Sequence, residues 1–244
     1  MPATIVLVHG SFHGGWCWTK VAAGLLDAGC AVVAVDLPGH AAGTTEPPTD
    51  LHGDAAHVRE AIDAIRGPVV LVGHSYGGAV ITEAAFGHPG VAHLVYLAAI
   101  MPDAGESITT AVPPGGSTPP ISQPGAELIK PDADGLTLRL SPELVPRLYY
   151  HDCSAADVDF ALQRLSPQTI ASFTQPVSGA AWRTIPATYI VCADDRALPP
   201  ESQRAYATRA ADVVTLPCSH SGFFACPESI VDILRYAANG ESRP

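Results

Sequence analysis

The chain has 244 residues, 47% of them hydrophobic and 15% charged, which is enough for one large core and short for two ordinary domains. A net charge of −11 sets it against nucleic acid, whose phosphates call for a basic face. No apolar run approaches the ~18 residues of a membrane span, and Ala3–Val8 is too short and lacks the basic start of a secretory signal, so a cytoplasmic protein without a membrane partner is expected.

Short apolar runs alternate with helical patterns along most of the chain. Residues 3–8 read as a first strand. A helix follows from Thr19, with Val21, Leu25 and Ala28 on one face and Gly29 as its stop. Ala31 to Val35 form the second strand. Val58, Ala61, Ile62 and Ile65 then give the i, i+3, i+4, i+7 spacing of a half-buried helix. Gly67-Pro68 ends it, and Val69–Val72 is a third strand, apolar enough to be buried on both faces. A helix from Gly77 leads to a fourth strand, Leu94 to Ala98.

After Met101 the rhythm breaks. Residues 112–124 hold five prolines and two glycines, which no regular element accommodates. Helical stretches are predicted near 141–150 and 154–165. The alternation resumes with a fifth strand at 185–191, a helix near 200–210, a strand at 213–216, and a closing helix carrying Ile230, Ile233, Leu234 and Ala237 on one face. Residues 1–102 and 183–244 therefore make one α/β core, a mostly parallel six-stranded sheet with helices on both faces. Residues 103–182 are expected as a helical lid inserted between the fourth and fifth strands. The six cysteines show no metal or redox spacing and read as small buried hydrophobes.

Chemistry concentrates in Gly73-His74-Ser75-Tyr76-Gly77, between a buried strand and a helix. This is the G-x-S-x-G nucleophile elbow in the context it requires. Serine is a weak nucleophile and needs a base oriented by a third group. In this fold the acid and then the histidine follow on loops after later strands. His220, just past the last strand, is the candidate base. The acid loop holds two adjacent aspartates; Asp195 is preferred, Asp194 reads as a turn residue, and Asp103 as a lid-hinge residue. A tetrahedral oxyanion needs two backbone N–H donors. Tyr76 should supply one and Ser11, after His9-Gly10, the other, with Phe12 the alternative. His9 and His13 lie four apart in a glycine-rich turn without an accompanying carboxylate or cysteine, so no metal is expected.

These residues look like the methylesterase and hydroxynitrile lyase group of the α/β-hydrolase superfamily. The resemblance is carried by VLVHGSFHGGWCW at the start, VGHSYGG at the elbow, YLAAIMPD after the fourth strand and YIVCADDRALPPESQR near the acid. It covers the core strands and all three triad loops and is weak across 104–140. It implies the α/β-hydrolase fold and a carboxylic-ester hydrolase working through an acyl-enzyme on Ser75. Cyanogenic lyases of the group carry threonine after the first-strand histidine and lysine after the catalytic histidine; here those positions are Gly10 and Ser221. A lyase or intramolecular cyclase using the same triad, and a ligand-binding protein on this scaffold, are the alternatives.

Phe12, Trp16, Trp182 and Phe223 are expected around the substrate, and Tyr149, Tyr150 and Phe160 under the lid or within it. Few charges accompany them. That favours a small, largely apolar ester, a methyl ester or lactone among the candidates, as the partner. No cofactor is implied, since the triad needs none and neither a G-x-G-x-x-G nor a Walker loop is present.

Overall fold

A computed structural model describes residues 2–116 and 128–240, so part of the proline-rich stretch 112–124 lies outside the described residues. In chain order the first half holds β1 (Thr4–Val8), α1 (Thr19–Asp27), β2 (Val32–Val35), α2 (Leu51–Asp63), β3 (Val69–His74), α3 (Gly77–Ala85) and β4 (Val91–Leu97). The insertion follows with β5 (Ile129–Pro131), β6 (Thr137–Leu140), α4 (Val145–Leu148), α5 (Ala155–Leu162), β7 (Gln168–Thr169) and α6 (Ile170–Thr174). The core then resumes with β8 (Ala187–Cys192), α7 (Pro200–Ala207), β9 (Asp212–Leu216), α8 (Gly222–Ala225) and α9 (Pro227–Asn239). No helix among the described residues is long and apolar enough to cross a membrane.

The core sheet runs β2-β1-β3-β4-β8-β9, with every neighbouring pair parallel. Its inner strands are continuous apolar runs because helices cover both faces; every residue of β3 and of β8 is buried. The edge strands β2 and β9 leave residues exposed, as strands with one neighbour do. Helix ends obey local chemistry. The Asp50 carboxylate accepts the Gly53 N–H at 2.9 Å to cap α2, and Gly29 closes α1 at a φ of +76°.

Register sets the site. Val8 lies opposite Gly73, His74 opposite Leu97, and Cys192 opposite Leu216, so the loops after β1, β3, β8 and β9 leave one edge of the sheet at one level. This is the carboxyl edge, where open parallel sheets bind their ligands.

The insertion between β4 and β8 forms a cap, and it is less helical than expected. Strands β5, β6 and β7 make a small antiparallel sheet. The β5–β6 turn explains why: the Asp134 carboxylate accepts the Leu136 and Thr137 N–H groups at 2.8 and 2.9 Å, and Gly135 takes a φ of +67°. The stretch expected as a helix over 141–150 contains a single turn, Val145–Leu148, because the residues after it are drawn down onto the core loops.

Candidate active site

The elbow is built from close contacts that only glycine permits. Ser75 adopts a φ of +53°, the left-handed region, at a cost of about 1–3 kcal/mol for a non-glycine residue. A Cβ on Gly73 would sit 2.4 Å from the Gly77 carbonyl oxygen, and one on Gly77 would sit 2.6 Å from that of His9. Backbone hydrogen bonds lock the turn. Ser75 N–H donates to the Leu97 carbonyl at 3.1 Å, while the Ser75 carbonyl accepts from Gly78 at 3.0 Å and Ile100 at 3.2 Å.

The acid and base meet as a buried pair. His220 Nδ1 donates to Asp195 Oδ2 at 2.7 Å, with the two side chains only 2% and 0% exposed. Asp195 is held on every side: Oδ1 accepts the Ala197 and Leu198 N–H groups at 2.7 and 2.9 Å, and Oδ2 also accepts Gln203 Nε2 at 2.7 Å. Asp194 is exposed and bonds only through its backbone: its N–H donates to the Cys218 carbonyl at 3.1 Å and its carbonyl accepts from His151. Asp103 is paired with the exposed Arg183. Of the three aspartates weighed from sequence, Asp195 alone reaches the imidazole.

His74, the residue before Ser75, is in direct contact with His220. Its Nε2 donates to the His220 carbonyl at 2.9 Å, and the two rings lie 4.6 Å apart between centroids. Among the described residues no hydrogen-bond partner occupies His220 Nε2. The Tyr149 ring meets the imidazole edge-on at 4.8 Å.

The loop after β1 lies directly against the elbow, since a Cβ on Gly10 would stand 2.9 Å from Ser75 Cβ. Neither the Ser11 nor the Tyr76 N–H has a protein acceptor among the described residues. Phe12 N–H, the alternative donor, is engaged by Gln168 Oε1 at 3.4 Å. His9 and His13 are structural. His9 Nδ1 donates to the Gly10 carbonyl and its Nε2 accepts from Leu37; His13 Nδ1 donates to the Ser11 carbonyl and its Nε2 accepts the Tyr150 hydroxyl at 2.6 Å. Burial holds His9 and His74 well below the ordinary histidine value and brings His13 and His40 down to about 4, so this floor is uncharged at neutral pH. No cluster of three or more His, Cys, Asp or Glu among the described residues is placed to hold a metal ion.

Of the expected pocket aromatics, Phe12 faces Phe173 of the cap and Trp16 stacks on His13, with Phe160 and Phe224 around it. Phe223 lies edge-to-face with His74 at 5.0 Å and packs on Trp18, which makes it support for the elbow. Trp182 does not join this group. Its indole N–H donates to the Pro102 carbonyl and its ring is flanked by Arg183 and Arg209, contacts that belong to the base of the cap.

Three features escaped sequence reasoning. Gln203, eight residues past the acid on α7, ties Asp195 to the Cys192 backbone. Asp54, fully buried, accepts the Tyr76 hydroxyl at 2.7 Å and the Thr49 hydroxyl at 2.6 Å; burial pushes its carboxyl up to about 6. An aspartate on the apolar face of α2 was the available signal. The third is the cap segment 149–152, which touches the loops after β1, β8 and β9. The Tyr149 carbonyl accepts from Ser221, Tyr150 reaches His13, His151 reaches the Asp194 carbonyl, and the Asp152 carboxylate accepts the Ser219 N–H at 2.7 Å.

A parallel sheet with a strained serine after its third strand and a buried Asp–His pair at the same edge defines a class of hydrolase, and comparison with known proteins agrees. The model of the alpha/beta hydrolase family matches residues 5–233, and the chain belongs to that family. Methylesterase 1 of Arabidopsis thaliana is 32% identical over 212 residues, covering 82% of this chain and 81% of its own. A pyrethroid hydrolase of Sphingobium wenxiniae is 31% identical over 242 residues, covering 94% and 85%. Among solved structures, a pyrethroid hydrolase from Sphingobium faniae superimposes with a TM-score of 0.85 at 29% identity, covering 97% of both chains.

Proposed function

We propose that the protein hydrolyses small carboxylic esters, with Ser75 as nucleophile, His220 as general base and Asp195 as the group that orients it. The observation that carries the reading is the buried 2.7 Å His220–Asp195 pair beside the strained Ser75 turn. Because the carboxylate takes the Nδ1 proton, Nε2 is the base position, and it is the ring nitrogen with no protein partner among the described residues. Ser75 Oγ attacks the ester carbonyl as its proton passes to His220 Nε2. The tetrahedral oxyanion is bound by the Ser11 and Tyr76 N–H groups, and its collapse expels the alcohol, which receives that proton. Water, activated by the same imidazole, then attacks the acyl-enzyme and releases the acid.

The surroundings favour an uncharged, largely apolar substrate. Phe12, Trp16, Tyr149 and Phe173 stand around the catalytic loops, and the four nearby histidines are held neutral by burial. Relatives named as methylesterase, pyrethroid hydrolase and carbendazim hydrolysing esterase act on bonds of this kind by name and support the same class. Where cyanogenic lyases carry lysine, this chain has the buried, uncharged Ser221. The test is turnover of a short-chain aryl ester by the wild type and by Ser75→Ala. Hydrolysis by the wild type with a loss of ~10⁴-fold or more in the variant is expected. Equal turnover by the two proteins would refute Ser75 as the nucleophile.

A further inference from the structure

Phe12 is a bulky aromatic held at a φ of +66°. Such a backbone costs about 1–3 kcal/mol and persists only where the surroundings over-determine it. Part of the restraint is local, because the His13 N–H donates to the Gly10 carbonyl at 3.3 Å and closes a turn around Ser11 and Phe12. The rest comes from the cap. Ser166 N–H donates to the Phe12 carbonyl at 2.9 Å, with the Ser166 hydroxyl 3.4 Å from the same oxygen. Gln168 Oε1 accepts the Phe12 N–H at 3.4 Å. Gln168 is fully buried, and its amide has one satisfactory orientation, because Nε2 donates to the buried Ser172 hydroxyl at 2.9 Å, which in turn donates to the Thr169 carbonyl at 2.7 Å. One cap strand and the loop before it thus grip both polar groups of a strained residue adjacent to Ser11.

We propose that Gln168, backed by Ser172 and assisted by Ser166, is a positioning residue for the oxyanion hole. By fixing Phe12 in its left-handed turn it sets the peptide that carries the Ser11 N–H against the elbow. The proposal rests on the ester-hydrolase reading. Its consequence is that the cap is part of the transition-state geometry as well as a cover over the substrate: separating the 166–172 segment from Phe12 releases an oxyanion donor. Gln168 also occupies the Phe12 N–H, so that only Ser11 and Tyr76 remain open to the oxyanion, which gives the hole one definite pair of donors.

The experiment compares wild type, Gln168→Met, which keeps the volume and loses the acceptor, and Ser172→Ala, which removes only the group that orients the amide. For each, kcat and KM on a short-chain aryl ester are measured per active site, counted by titration with a fluorophosphonate. Affinity for an aryl trifluoromethyl ketone, which forms a tetrahedral adduct on serine, is measured alongside. Displacing one donor should lower kcat of Gln168→Met by ~10–100-fold with KM within about twofold, and weaken the ketone by a similar factor. Ser172→Ala should move the same way by a smaller factor, and it keeps the proposal open to refutation if Gln168→Met does not fold.

A purely structural role would lower the melting temperature and the titrated fraction while leaving kcat per titrated site and ketone affinity unchanged. That result overturns the proposal. A rise in kcat would also overturn it, because it would make Phe12 N–H the true donor and Gln168 its competitor. If the wild type itself does not react with the fluorophosphonate, the ester-hydrolase reading falls and this proposal falls with it. A reactive wild type with unchanged variants removes this proposal alone.

Discussion

In β1, β3, β4 and β8 almost every side chain is apolar and buried, and the backbone groups are satisfied between parallel neighbours. The cap is held differently. Its turns rest on side chains bonded to backbone, such as Asp134 to Leu136 and Thr137, Thr169 to Ser172, and Ser154 to Asp157. Its grip on the core is of the same kind, through Gln168, His151 and Asp152. Burial is non-directional and tolerates exchange among hydrophobes, whereas each of these polar bonds depends on one atom pair. The sheet therefore places the catalytic loops at one edge, and the cap fixes their final orientation.

The Asp195 carboxylate is held by core groups, and breaking its bonds should have the greatest effect. Asp195→Asn keeps the shape but offers His220 Nδ1 the wrong partner, and kcat should fall by ~10⁴-fold, as it does when a triad aspartate loses its charge. Asp194→Asn, exposed and bonded only through its backbone, should stay within about threefold of wild type. Steady-state kinetics on one aryl ester decide it. A larger loss in Asp194→Asn would transfer the acid role to the neighbour.

The same division governs what could be read from sequence. The elbow was readable because a continuous apolar strand, two glycines and a helix flank Ser75, all between Val69 and Ala85. Asp195 could be preferred but not separated physically from Asp194, since what separates them is the ring of Ala197, Leu198, Gln203 and His220 around one carboxylate. The cap was read as helical because Pro131-Asp132-Ala133-Asp134-Gly135 hides a hairpin turn, and two- to four-residue strands show no period. Trp182 was assigned to the pocket on its aromaticity, when arginine stacking and Pro102 decide its position. Tyr149 and Tyr150 were readable only as aromatics under the lid or within it, and His151 and Asp152 gave no signal: the segment's partners lie between 43 and 137 positions away in the chain.

The buried histidines of the core also set how it answers acid. His13 and His40, buried beneath the catalytic loops, are held down to about 4 from an unfolded value near 6.5. Between those limits the unfolded chain binds protons that the folded one refuses. Stability is therefore complete above about pH 6.5 and lost as pH falls toward 4, by about 3 kcal/mol for each histidine. Urea unfolding at pH 7, 6 and 5 should show that decline, and His40→Gln should make it shallower by that histidine's share. Stability independent of pH over this range would mean the histidines are solvated.

Asp54 works in the opposite direction and sharpens the contrast within the core itself. Its carboxyl, raised by burial to about 6 from 3.8, is protonated more readily folded than unfolded. Its contribution is present in full below about 3.8 and is lost as pH rises through 6, a cost of about 3 kcal/mol at neutral pH. Asp54→Asn cannot ionise. Its stability relative to wild type should rise by about that amount between pH 4 and 7, whatever the constant loss from the Thr49 or Tyr76 hydrogen bond. A constant difference between the two proteins across this range would place the Asp54 carboxyl at its ordinary value.

The smallest effect tests whether cap contacts matter because they are polar or because they reach the core. Asp152 and Asp132 are both cap carboxylates with a hydrogen-bond partner. Asp152 accepts the Ser219 N–H, one residue from His220, whereas Asp132 pairs with the exposed Arg139 across the cap hairpin. Asp152→Ala leaves that N–H without its charged acceptor, worth about 1 kcal/mol at a site partly open to solvent, or ~2–4 °C in melting temperature for a chain of this size. It should also lower kcat a few fold, because the loop that carries His220 loses one of its restraints. Asp132→Ala should alter neither measurably, as is usual for exposed ion pairs. Equal losses of kcat in the two variants would mean that the cap acts on the site as a whole body, with no special part for the bonds that touch the catalytic loops.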